Sequence, residues 1–218
     1  MARPKLKSRL YLITPPDLDP AAFSPVLDKT LAAGAKSGIV ASLQLRLKDV
    51  DDSKIGAAIE TLMPVAHRYD VAFILNDRPD LAAKYDCDGV HVGQEDTPYA
   101  EARALVGADR IVGVTCHDSK DLAFDAAEAG ADYVAFGAFF PSTTKTAPKS
   151  HADVALIEAW ASFVTVPCVA IGGITPENCG PLVAAGADFL AVAGAVWNHK
   201  DGPEAALAAF ENAVKSAA

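Results

Sequence analysis

The fold this sequence predicts is a (β/α)8 TIM barrel, a single domain spanning the 218-residue chain. Three observations lead there. Eight apolar runs of strand length recur from end to end, Ala-rich amphipathic segments separate them, and no G-x-G-x-x-G follows the first run. Such alternation suits a doubly wound open sheet as well as a barrel, and eight units, the closing number, favour the barrel. A hydrophobic share of 51% supplies one large core, and no linker, low-complexity tract or charge block marks a second domain.

The expected strands, in order, lie near 10–14 (LYLIT), 42–46 (SLQLR), 71–75 (VAFIL), 89–92 (GVHV), 111–115 (IVGVT), 133–138 (YVAFGA), 168–173 (CVAIGG) and 189–194 (FLAVAG). Most lack strict alternation and are rich in Val and Ile, as expected for parallel strands covered on both faces. Between them FSPVLDKTLAAGAKSG, DSKIGAAIETLMPVAHRYD, PYAEARALVGA, SKDLAFDAAEAGA, HADVALIEAWAS and TPENCGPLVAAGA, and after the last strand PEAALAAFENAVKS, carry apolar residues three or four apart. RPDLAAKYDCD leaves room for only a short helix between the third and fourth strands. Gly34, Gly130 and Gly186, each followed by Ala, are expected to take the left-handed conformation that ends a helix.

A net charge of −9 disfavours nucleic acid as a partner, so anionic ligands need a local cluster of cations and backbone amides. Cys87, Cys116, Cys168 and Cys179 show no C-x-x-C spacing and read as reduced, buried thiols. The basic start MARPKLKSRL precedes too short an apolar run for a signal peptide, and no run reaches the length of a membrane span. The expectation is a soluble cytoplasmic protein; a homo-oligomer is left open.

In such a barrel, chemistry is built from the C-terminal ends of the strands and the loops after them. The second strand ends Gln44-Leu45-Arg46-Leu47-Lys48, and alternation sends the amide and both cations to one side. The third run ends abruptly in Asn76-Asp77-Arg78, and the fourth in Gly93-Gln94-Glu95-Asp96. Asp77 and Asp96, from neighbouring strand ends, could share a hard cation, and Mg2+ suits one or two carboxylates plus waters and phosphate oxygens. Either acid alone reads equally well as a turn or helix cap. The loop Ser142-Thr143-Thr144-Lys145 offers hydroxyls and a point charge. Gly172-Gly173 and Ala193-Gly194 lie where barrels commonly bind phosphate.

One mouth would then hold two anion sites. Gln44, Arg46, Lys48, Asp77, Asp96 and Lys145 suit a pyrophosphate; Ser142, Thr144, Gly173, Ala193 and Gly194 suit a monophosphate. Two phosphorylated ligands imply joining or transfer. His91 reads as a satisfied core or supporting group, His117 as a residue that could line the mouth, His67, His151 and His199 as surface groups, and Trp160 and Trp197 as packing.

Taken in order, QLRLK, ILNDR, GVHVGQED, GVTCH, GAFFPSTTK, AIGGITPEN and ADFLAVAGAV closely resemble the thiamine phosphate synthase family, over nearly the whole chain. The resemblance implies a transferase that joins hydroxymethylpyrimidine pyrophosphate to thiazole phosphate with Mg2+, releasing thiamine phosphate and pyrophosphate. It implies that Gln44, Arg46, Lys48, Asn76, Thr115 and Lys145 contact the pyrimidine substrate, with Arg46, Lys48, Lys145 and Thr115 as the catalytic set. Asp77 and Asp96 would hold Mg2+, while Ser142, Thr144, Gly173, Ala193 and Gly194 would receive the thiazole phosphate. Ser142 stands where the family commonly has Thr, Thr115 where it has Ser, and Gly194 where a Ser often adds a hydroxyl. The loop after Lys48 is short. Two other readings remain from the sequence: a thiazole tautomerase-like isomerase, and a non-catalytic sensor of phosphorylated ligands.

Overall fold

A computed structural model describes residues 8–141 and 151–217. Eight parallel strands close into a barrel in sequence order: β1 (Arg9–Ile13), β2 (Val40–Leu45), β3 (Ala72–Asn76), β4 (Gly89–Val92), β5 (Ile111–His117), β6 (Tyr133–Gly137), β7 (Cys168–Ile171) and β8 (Phe189–Val192). β1 pairs with both β2 and β8, which shuts the ring. The helices are α1 (Pro20–Gly34), α2 (Asp52–Arg68), α3 (Pro79–Lys84), α4 (Tyr99–Val106), α5 (Lys120–Glu128), α6 (Val154–Phe163), α7 (Gly180–Ala185), α8 (Gly194–Trp197) and α9 (Pro203–Ala217). α3 is the short helix expected between the third and fourth strands.

The two-residue period of the strands splits the apolar residues into two cores. Leu10, Leu12, Leu43, Phe73, Leu75, Val112, Phe136 and Leu190 face outward and pack with helix residues such as Leu27, Ile59 and Phe210. Tyr11, Ile74, Tyr133, Ala135, Val169 and Ala191 face inward and fill the barrel. Helix starts are capped by side chains where the sequence offers them. Asp19 accepts from Ala21 and Ala22, Ser119 from Leu122 and Asp153 from Ala155, so otherwise orphaned first-turn N–H groups find partners.

The bottom rim carries a repeated device. Asp88, Asp132 and Asp188 stand just before β4, β6 and β8. Their carboxylates accept the N–H groups of Phe73 (2.6 Å), Val112 (2.8 Å) and Cys168 (2.9 Å) on the preceding strand. Each also donates its own N–H to that same residue's carbonyl. The β3–β4, β5–β6 and β7–β8 pairs are thus each stapled by two bonds at one residue.

Several boundaries depart from expectation. Gly130 and Gly186 have φ of 98° and 100° as expected, but Gly34 stays inside α1 and the left-handed turn falls at Gly38 (φ 67°). A Cβ on Gly34 would lie 3.1 Å from Ile39 Cγ2 and 3.2 Å from Leu207 Cδ1, so close helix packing accounts for that glycine. β7 and β8 end before Gly172 and Ala193, because Gly172 and Gly173 turn to positive φ and Ala193 leaves the extended region. β5 runs two residues longer, to His117, through an irregularity in its pairing with β6.

Candidate active site

The mouth is built from the residues just past the strands. Asp77 follows β3 in the left-handed region (φ 63°), where an Asp is among the few side chains tolerated, and its N–H donates to the His91 carbonyl at 2.8 Å. That turn aims the carboxylate sideways to Lys48, whose Nζ lies 3.0 Å from Oδ2. Asp96, past β4, lies beside Asp77 closely enough to raise its pKa, and accepts the Gly93 N–H at 2.9 Å. Burial, and after it the Asp96 carboxyl, raise the Asp77 pKa, with Lys48 opposing. Ionising Asp77 therefore costs more here than it would in water.

Arg78 answers for the sudden charge after the third strand. Its guanidinium forks onto Asp52 (2.6 and 3.0 Å) and onto Asp80 (2.9 and 2.7 Å). Asp52 begins α2 and Asp80 lies in the first turn of α3, so one planar cation ties the start of α2 to the turn that carries Asp77. The same contacts hold both carboxyl pKa values below the usual range.

Of the other expected residues, Gln44 is buried inside the barrel and Asn76 closes β3 half-buried. Arg46 follows β2, half-buried, with its backbone N–H on the Thr14 hydroxyl at 3.0 Å. Thr115 points inward near the mouth end of β5, its Oγ1 2.7 Å from His91 Nε2. Gly173 (φ 61°) follows β7, and the adjacent β8 leads into Ala193 and Gly194 at the start of α8. Asn178 braces the Gly173 turn by donating to its carbonyl at 2.9 Å and accepting the Thr175 N–H at 2.8 Å. Ser142, Thr144 and Lys145 lie outside the described residues. Lys48, Asp77 and Asp96 therefore gather on three consecutive strand ends, with Gly173 and Gly194 on two others.

The sequence reading missed two tyrosines. Tyr11 and Tyr133 lie in strand runs that read as plain core, yet their hydroxyls meet at 2.9 Å in the barrel centre, and Gln44 Nε2 donates to Tyr11 at 3.1 Å. Their inward parity, one step from Leu10 and Leu12 and from Val134, was the available signal. Tyr133 can lie across the barrel because Gly113 leaves space: a Cβ there would be 1.9 Å from the ring. His91 stacks on Tyr133 (centroids 5.5 Å apart) and meets its hydroxyl at 2.9 Å through Nδ1.

Burial holds the His91 pKa down at about 4, against an ordinary 6.5. An unfolded His91 binds a proton as the pH falls through 6.5, whereas the folded one resists until about 4. Stability should therefore decline across that window. His91→Gln is expected to flatten this part of a Tm–pH profile; an unchanged slope would show that other groups cause it. The four cysteines are buried free thiols, and burial pushes Cys87, Cys116 and Cys168 up to about 12, so none is a ready nucleophile.

A family model described as thiamine monophosphate synthase matches residues 10–196. The chain belongs to the thiamine monophosphate synthase family. A thiamine-phosphate synthase of Rhodospirillum centenum is 63% identical over 207 residues, covering 95% of this chain and 98% of that one. Another, of Hyphomonas neptunium, is 49% identical over 100% of this chain and 98% of its own length. Among solved structures, the thiamine phosphate pyrophosphorylase from Pyrococcus furiosus superposes with a TM-score of 0.82 at 28% identity, covering 97% of both chains. Among the described residues, no helix is long and apolar enough to cross a membrane.

Proposed function

We infer that this protein is an enzyme that joins 4-amino-2-methyl-5-hydroxymethylpyrimidine pyrophosphate to thiazole phosphate, forming thiamine phosphate and pyrophosphate. Family membership over most of the chain supports the reaction. The observation that carries the site is the Lys48–Asp77–Asp96 cluster across neighbouring strand ends, on the rim that also bears the Gly172-Gly173 turn.

The donor chemistry at that cluster fits Mg2+. Asp77 and Asp96 are hard oxygen donors whose mutual repulsion a cation would reverse. Among the described residues, no His, Cys, Asp or Glu gather in threes as a metal cage. Such a pair suits an ion that completes its shell with waters and substrate phosphate oxygens. When bound there, Mg2+ would neutralise charge on the pyrophosphate.

The protein's own residues do the rest. Arg46, Lys48 and Lys145 attract the leaving group as its C–O bond breaks, in the manner of preorganised electrostatic catalysis. The electron-rich aminopyrimidine stabilises the carbon cation so formed, with Gln44, Asn76 and Thr115 holding its ring. Ser142, Thr144, Gly173 and the Ala193–Gly194 backbone take the thiazole phosphate and place the ring nitrogen to attack. Proximity thus replaces a protein nucleophile.

Incubating the protein with both substrates and Mg2+ should give a mass signal for thiamine phosphate, absent when either substrate is omitted. Calorimetric binding of both ligands without conversion would instead make the protein a sensor and overturn the reading.

A further inference from the structure

Five polar side chains from five strands stand in a hydrogen-bonded file through the barrel. Gln44 Nε2 meets Tyr11 Oη at 3.1 Å, and Tyr11 Oη meets Tyr133 Oη at 2.9 Å. Tyr133 Oη meets His91 Nδ1 at 2.9 Å, and His91 Nε2 meets Thr115 Oγ1 at 2.7 Å. Elementary donor counting gives the file a direction. An amide NH2 can only donate, so the Tyr11 oxygen accepts from Gln44. The single Tyr11 proton, in a buried site, then has the Tyr133 oxygen as its acceptor, because a buried donor left unpaired is costly. Tyr133, having accepted, passes its own proton toward His91 Nδ1.

The His91 ring proton therefore belongs on Nε2, which donates to Thr115 Oγ1. Thr115, accepting on its inner side, turns its hydroxyl hydrogen away from His91. The reverse order would set the Tyr11 hydroxyl hydrogen against the Gln44 NH2, donor against donor. A doubly protonated His91 would place a charge between two hydroxyls, with no carboxylate hydrogen-bonded to the ring among the described residues.

We propose that this file is a one-way relay that makes Thr115 a donor toward the substrate, selecting a heteroaromatic ring that presents an acceptor nitrogen there. Tyr11, Tyr133 and His91 are its positioning residues. The proposal rests on the reading of the mouth as an aminopyrimidine pyrophosphate site, but its first test does not.

In nitrogen-15 NMR of the free protein labelled at histidine, His91 should show a pyridine-like Nδ1 and a protonated, pyrrole-like Nε2. Tyr133→Phe, which keeps the ring over Gly113 and removes only the hydroxyl, should release that preference into a tautomer mixture. In the assay, Tyr133→Phe and Tyr11→Phe should each raise KM for the pyrimidine substrate on the order of fivefold to tenfold, the factor a single net hydrogen bond carries. They should leave KM for thiazole phosphate unchanged. Thr115→Val should remove any further effect of Tyr133→Phe. A proton found on Nδ1 would overturn the relay, and so would an unchanged tautomer in both tyrosine variants. Should no thiamine phosphate form at all, the functional reading fails and the NMR result still decides the tautomer.

Discussion

Asp77→Asn is expected to lower turnover on the order of 10²–10³-fold, the usual cost of losing one preorganised electrostatic group, while leaving the protein as stable as before. Asn, like Asp, tolerates the left-handed backbone at this position (φ 63°), so the change removes charge without adding backbone strain. Because burial and Asp96 raise the Asp77 pKa, ionised Asp77 weakens the fold at neutral pH. Replacing it should therefore hold or slightly raise Tm. Lys48 loses a partner, but its side chain is 49% exposed and water takes the partner's place. The variant should also need more Mg2+ for half-maximal rate. Full activity in a folded variant would remove Asp77 from the site.

Gly173→Ala should damage both binding and folding. Its φ of 61° disfavours Ala, and a Cβ there would lie 2.3 Å from the Pro141 carbonyl oxygen and 2.7 Å from that of Phe140. Those atoms are backbone, so relief requires moving the chain after β6, which leads directly into the loop carrying Ser142, Thr144 and Lys145. A displacement on the order of 1 Å in a positioning segment costs about 10²-fold in rate. We expect kcat/KM for thiazole phosphate to fall by about that much, together with a stability loss of about 1–3 kcal/mol. Gly107→Ala provides the control. Gly107 also has positive φ (86°), but a Cβ there meets nothing within 4 Å. It should lose stability and keep its kinetics. Equal kinetic loss in both variants would mean that Gly173 matters only for folding.

The barrel was legible because its strands are mostly continuous apolar runs and its helices carry apolar residues three or four apart, two signals that survive local irregularity. What stayed hidden was conformational. Gly34 and Gly130 precede Ala alike in sequence, yet Gly34 lies inside α1, packed against Ile39 and Leu207, whereas Gly130 takes a φ of 98°. The abrupt charge after Leu75 did mark the mouth, since Asp77 meets Lys48 there. The fork of Arg78 across Asp52 could not be read, because it joins residues 26 positions apart through loop geometry. Tyr11 and Tyr133 escaped for the opposite reason. Within an apolar run a tyrosine counts as bulk, and only strand parity and the space over Gly113 bring their hydroxyls together.

The carboxylates of Asp88, Asp132 and Asp188 lock β3 to β4, β5 to β6 and β7 to β8 at the end remote from the mouth. A one-residue slip in any of these pairs would break two bonds at once and exchange lumen residues for outer ones. Alignment of the strands is thereby insulated from the opposite rim. Insertions, deletions and substitutions among the catalytic loops can accumulate there while the lumen keeps the same occupants, which is the freedom a lineage needs to retune its chemistry on an unchanged frame.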